Sequence, residues 1–265
     1  VYPAFNPTMS RVIVRSRQET DKIREACIVA ADVLEHMAQN VRIGISTHEL
    51  DQVAGRRMAQ LGAESACLNY RSGSKVFPCH TCISVNEEVV HGVASMRRTV
   101  LAGDVVSLDV VVRYKGYIGD NARTVIVDPI SEEAAFLVQS TREALHHGIS
   151  FAKVGNRIGQ ISNAIQQYIE SRNLSIVRNF VGHGVGKDMH EEPQIPNFGR
   201  KNEGPRLKDG VTLAIEPMVN LGSYEIDIQP DGWTAVTRDR KLSAHFEHTI
   251  LVKRSGPEIL TICKN

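Results

Sequence analysis

Midway along the apolar run Val105–Val112 stands a single carboxylate, Asp109, and it limits what the chain can fold into. The run reads VVSLDVVV, a strand covered on both faces, where an uncompensated charge is expensive to bury. Something must neutralise it. Lys115–Gly116 then gives a turn signal, followed by a second run rich in Tyr, Ile and Val that ends near Pro129. A two-residue hairpin loop there sets position 114 opposite 117 and 109 opposite 122. Asp120 then points to the same face as Asp109, on the diagonal, within reach of a shared cation. In its GYIGDN context Asp120 also reads as an ordinary turn residue, whereas Asp109, between Leu108 and Val110, does not. Two carboxylates aimed at one point of an apolar sheet indicate a metal cradle, with its other ligands elsewhere in the chain.

Around this hairpin the chain repeats itself. Gln18–Asn40 carries apolar residues at the spacing of one helix face, and Ser46 or Thr47 caps a second helix over 47–61, closed by Gly62. Residues 65–99 read as loop and short strands, including a β-like Val89–Val93. Beyond the hairpin the order starts again, with helices over Glu132–His147 and Ile158–Arg172. Extended segments follow at Ile176–Gly182, Val211–Val219, Gly232–Thr237 and His245–Val252. VRIGIST (41–47) resembles AKVGNRI (152–158), LAGDVVSLDV (101–110) resembles LKDGVTLAIEP (207–217), and RTVIV (123–127) resembles HTILV (248–252). Three weak matches in one order point to a duplication. It pairs Asp109 with Glu216 and Asp120 with Glu247, so four carboxylates meet at the junction of two halves, where ligands usually sit.

His183, in FVGHGVG, is flanked by glycines that leave its ring uncrowded. Alone it reads as a turn histidine, and the spacing is not that of a phosphate-cradling loop. Glu216 in LAIEPM and Glu247 in HFEHTILV each interrupt an apolar run, which a solvated strand face would also explain. Taken together, four carboxylates and one imidazole suit Mn, Fe, Co or Zn in a two-metal site better than a structural zinc site. His91 and His190 are ambiguous singly. Cys79 and Cys82 form one CxxC without a partner pair, read as loop thiols near a pocket.

Five cysteines, an odd number in 265 residues, favour reduced thiols in a cytoplasmic setting. A net charge of +1 gives no global pull toward nucleic acid or membrane, and no apolar run approaches a membrane span. Residues 1–8 read as an extension, with the natural start at Met9–Ser10 and one catalytic domain over 9–265.

The motifs VNEEVVHGV, SLDV, GDNARTV, GHGVGKDMHEEP, AIEPM and DGWTAVTRDRKLSAHFEHTILV resemble, in order and spacing, those of type I methionine aminopeptidases. The resemblance covers nearly the whole chain from about Met9. It implies an α+β pita-bread fold with pseudo-two-fold symmetry, the creatinase/aminopeptidase architecture. It further implies removal of N-terminal methionine from nascent chains with a small second residue, by a water activated between two divalent ions (Co, Mn, Fe or Zn). Asp109, Asp120, His183, Glu216 and Glu247 match the metal ligands, Asp120 and Glu247 as bridges. His91 and His190 match the histidines that contact the substrate amide and the reacting carbonyl, and Glu216 is also the proton shuttle. Tyr70, Cys82, Trp233 and Met189 match the methionine pocket. Met189 replaces the usual bacterial Phe, and Phe77 stands in for an aromatic displaced by a longer 71–81 loop, read as a flap.

The short gap between His190 and Glu216 points to type I over type II, and no zinc-finger extension precedes the fold. The resemblance places a monomer in the cytoplasm near the ribosome, without nucleic-acid or membrane contact. A proline-directed peptidase of the same fold is the enzyme alternative, expected to carry a large N-terminal domain that this chain does not show. A non-catalytic binding homologue would have lost metal ligands, and none is lost here.

Overall fold

Ser16 starts the first helix by a capping box: its hydroxyl accepts the Glu19 N–H at 3.3 Å and Glu19 accepts the Ser16 N–H at 3.0 Å. The helix, α1, runs Arg17–Asn40, and Ser46 with Glu49 repeats the box before α2, Thr47–Gln60. The second pair is α3, Glu132–Ser150, capped by Ser131, and α4, Ile158–Glu170. These are the four expected helices, each within a few residues of its sequence bounds. The computed structural model describes residues 11–263; the 1–8 stretch and Met9–Ser10 lie outside the described residues.

The strands that carry the site are β1 (Cys82–Val85), β2 (Val105–Tyr114), β3 (Tyr117–Ile126), β4 (Gly182–Gly184), β5 (Glu191–Ile195), β6 (Val211–Ile215) and β7 (Glu247–Val252). All belong to one nine-stranded sheet. Lys115 and Gly116 have φ of 50° and 80°, the positive pair that a two-residue hairpin needs. The expected register holds, with Tyr114 opposite Tyr117 and Asp109 opposite Ala122. At the centre, β3 and β7 lie side by side, Glu247 opposite Ala122 and His248 opposite Asn121. Outward from this seam the order is β2 then β1 on one side, and β6, β4, β5 on the other. That is the two-fold arrangement expected from the repeat.

Alternation divides β2 between two environments. Val106, Leu108, Val110 and Val112 pack under α1 and α2 with Met37, Leu50 and Met58, while Val111 faces the opposite side with Ile118 and Cys82. Asp109 shares that second side. The other half builds its own core from α3 and α4 against Leu213, Ile215, Ile250 and Val252.

One glycine fixes how closely helix and hairpin approach. A Cβ on Gly119 would lie 2.3 Å from the Ala26 carbonyl oxygen of α1, backbone against backbone. Gly119→Ala is therefore expected to destabilise the protein by about 2–3 kcal/mol, read by urea unfolding. An unchanged midpoint would mean that α1 can lift off the sheet.

Three extended segments are interrupted. Val211–Val219 breaks at Glu216–Pro217, where proline lacks an N–H and the chain leaves the main sheet for the strand Met218–Asn220. His245–Val252 breaks at Phe246, between Ser243–His245 and β7. In Ile176–Gly182 only the ends are strand. The β-like stretch at Val89–Val93 stops at Val90, because His91 takes a left-handed φ of 59°.

Candidate metal centre

Asp109, Asp120 and His183 within their strands, Glu247 at the start of β7 and Glu216 just after β6 bring the five expected ligands together. One side-chain atom each from Asp120, His183 and Glu247 lie within 4.8 Å of one another. His183 Nε2 is 3.8 Å from Asp120 Oδ2 and 3.4 Å from Glu216 Oε1. His183 Nδ1 lies 2.9 Å from the Gly184 carbonyl, so its proton belongs there and the Nε2 lone pair faces the acids. Asp120 and Glu247 hydrogen-bond to each other. Asp109 completes the group from β2, with its Oδ1 buried and without a hydrogen-bond partner.

The electrostatics are those of crowded, buried acids. Burial pushes the Asp109 carboxyl up to about 7. Burial first, and then the neighbouring acids, hold Asp120, Glu216 and Glu247 well above the ordinary carboxylate range. Among the described residues no Lys or Arg pairs with any of the four. Burial lowers His183 to about 4, so its imidazole is neutral, as a ligand must be. Four crowded acids, an orphaned carboxylate oxygen and an inward imidazole lone pair fit divalent cations. Harder oxygen-preferring metals and the first-row metals that accept imidazole share this donor set.

This arrangement has a pH signature. An acid whose folded pKa is raised contributes stability below its unfolded pKa and loses it as pH rises through the folded value. For Asp109 the loss spans roughly pH 4 to 7. Asp109→Asn escapes it, so in chelator-treated protein the variant should gain on the parent by a few kcal/mol between pH 5 and 8, at roughly 1.4 kcal/mol per pKa unit. The other acids and histidines titrate in both proteins, which is why the difference is measured. A pH-independent difference in melting temperature would contradict the burial of this charge.

Beside the ligands lies an apolar cluster. Phe77, Cys67, Cys79, Cys82, Val111, Ile118 and Val185 are buried together, with Tyr70, Met189 and Trp233 packed against them. Phe77 meets Trp233 edge-on at 5.3 Å, and Tyr70 meets Trp233 at 6.5 Å. The longer loop forms a small hairpin, Arg71–Ser72 with Lys75–Val76, pinned by Lys75 Nζ to the Gly232 carbonyl at 3.0 Å. His190 stands between pocket and acids: its ring lies 4.7 Å from that of His183, and Nδ1 is 3.1 Å from the Tyr70 hydroxyl. His91 packs edge-on against Phe180 at 5.0 Å. Burial lowers His91 to about 4 and His190 to about 3.

The acids and His183 thus lie together with His190 beside them, Tyr70, Phe77, Cys82, Met189 and Trp233 share one apolar cluster, and His91 lies against Phe180. Sequence reasoning missed Cys67, Phe180 and Asn197, whose amide donates to the Glu216 carbonyl at 3.0 Å. Cys67 lies three residues before Tyr70 and was open to detection; the other two carry no local signal.

A profile match settles the family: that of metallopeptidase family M24 spans residues 21–254. The chain belongs to metallopeptidase family M24. It is 46% identical over 253 residues to the methionine aminopeptidase of Clostridium perfringens, covering 96% of this chain and all of that one. The crystal structure of methionine aminopeptidase from Rickettsia prowazekii superposes with a TM-score of 0.91 at 36% identity, covering 95% of this chain and 100% of that one. The prolidase of Pyrococcus horikoshii shares the fold, with a TM-score of 0.75 at 23% identity over 96% of this chain and 64% of that one. The architecture is the pita-bread fold, and M24 membership brings with it the use of divalent metal.

Proposed function

We infer that this chain is a metal-dependent aminopeptidase that removes the N-terminal methionine from peptides with a small second residue. The observation that carries the reading is the adjacency of the acid cluster and the apolar cluster, Cys82 opposite Asp109, with His190 at their boundary. Asp109, Asp120, His183, Glu216 and Glu247 would hold two divalent ions, with Asp120 and Glu247 shared between them. When bound, such ions act as Lewis acids and lower the pKa of water.

The chain's own residues supply the rest. The pocket of Phe77, Tyr70, Cys82, Met189 and Trp233 takes the methionine side chain, and a polarisable Met189 adapts to the thioether. The acids at its base draw the substrate's α-amino group, which confines the cut to the first residue. Neutral His190, with Tyr70 O–H donating to Nδ1, carries its proton on Nε2 and donates to the carbonyl oxygen as charge develops there. His91 orients the departing amide nitrogen. Glu216, its side chain 14% exposed, accepts a proton from water and passes it on.

Relatives at this level of identity support nascent N-termini as substrates. The cytoplasm, near the ribosome, is the proposed setting and a monomer the proposed state. Among the described residues no helix is long and apolar enough to cross a membrane. The test is anaerobic reconstitution of chelated protein with Mn, Fe, Co or Zn, assayed on Met-Ala-Ser and on Ala-Pro peptides. Cleavage of Met-Ala-Ser alone is expected, with activity saturating at two ions per chain. Preference for the Xaa-Pro peptide would move the reading to a prolidase-like activity.

A further inference from the structure

The loop 185–190, between β4 and β5, carries Met189 and His190, and its backbone is held by an ion pair that reaches in from outside the site. The Glu191 carboxylate accepts the Lys187 N–H at 2.9 Å and the Asp188 N–H at 3.1 Å through Oε1. Its Oε2 pairs with the Arg15 guanidinium, and both side chains are only 8% exposed. Arg15 comes from the segment just before α1, which is anchored by its own N–H to the Gly210 carbonyl at 2.9 Å and by a bridge between Val14 and Val211. Room for the pair is left by Gly186: a Cβ there would stand 2.3 Å from Arg15 Nη2 and 2.9 Å from Glu191 Oε1. Two further ties complete the hold, Ile118 N–H to the Gly186 carbonyl at 2.8 Å and Arg113 to the Lys187 carbonyl at 2.9 Å.

We propose that Arg15 is a positioning residue, which through Glu191 fixes the loop that presents His190 and Met189 to the substrate. The argument rests on the reading of those two residues given above. A buried carboxylate that loses its guanidinium is left with an uncompensated charge. Glu191 then turns toward water and releases the two backbone amides it holds. The loop loses its fixed geometry, while the five metal ligands, which lie on other segments, keep theirs.

The experiment is steady-state cleavage of Met-Ala-Ser by metal-loaded Arg15→Ala, Arg15→Lys, His190→Ala and the Arg15→Ala/His190→Ala double variant. Arg15→Met, which keeps the packing of the stem, replaces Arg15→Ala if the latter fails to fold. The expected result is a kcat lower by ten- to about a hundredfold in Arg15→Ala. Arg15→Lys should recover much of it, and Mn titration should give the parent's affinity. In the His190→Ala background the kcat effect of Arg15→Ala should largely vanish, because the group it positions is already gone. Losses that multiply in the double variant, or an unchanged kcat in Arg15→Ala, would overturn the positioning role alone. Full activity in His190→Ala would overturn the role of His190, and the positioning role with it.

Discussion

Asp120→Asn is expected to abolish metal-dependent cleavage, lowering kcat/KM at least about a thousandfold, while raising the melting temperature of the metal-free protein. The two effects have one cause. Asp120 is 3% exposed, hydrogen-bonded to Glu247, and 3.8 Å from His183 Nε2. Without metal, burial opposes its charge first and Asp109 repels it further. The amide keeps the shape and removes the repulsion. Its backbone stays in place, because the Asp120 carbonyl accepts from Thr249 Oγ1 at 2.8 Å. Thermal melts in chelator, then with Mn or Co added, measure both signs at once. A variant less stable than the parent in chelator, or one that gains as much from metal as the parent does, would remove Asp120 from the centre of the cradle.

His190→Ala is expected to lower kcat a hundred- to about a thousandfold with a smaller change in KM, the size of losing one oxyanion donor. The ring is partly buried between His183 and Tyr70, and desolvation keeps it neutral across the working pH range. A neutral ring can donate only from the nitrogen that carries the proton, and a Tyr70 hydroxyl donating to Nδ1 at 3.1 Å would leave that proton on Nε2. Tyr70→Phe should therefore cost kcat about tenfold, by releasing the tautomer rather than the ring. Pre-steady-state cleavage of Met-Ala-Ser separates the chemical step from product release. If both variants weaken binding and leave the chemical step untouched, His190 belongs to the pocket instead.

The hairpin was legible from residues alone, because a charge inside a covered strand and a Lys-Gly turn leave few alternatives. The register followed from the turn, and the face shared by Asp109 and Asp120 followed from the register. The repeat brought in Glu216 and Glu247, and its seam is the pairing of β3 with β7. The division of the later strands was not legible. Glu216 and Glu247 both sit where the chain passes between sheets, and an apolar run looks the same whether it stays in one sheet or changes to another. His91 hid for a similar reason. It takes a left-handed φ of 59°, and the next residue, Gly92, lies too close to the Ile83 carbonyl for a Cβ, neither of which the local sequence announces. Arg15 and Glu191 are 176 positions apart, and nothing local in either segment announces the other.

The seam between β3 and β7 has a mechanical meaning as well. Only two residue pairs join the strands there, yet Asp120 and Glu247 meet across it. Neither arm of the chain owns a complete ligand set, so an ion seated in the cradle acts as a rivet through the joint. Loading with metal should slow amide exchange most at the rivet line, along residues 120–122 and 247–249, and least at the outer helices. On the proposed ligand set, catalytic competence and the integrity of the joint should rise and fall together, since opening along the seam would separate Asp120 from Glu247.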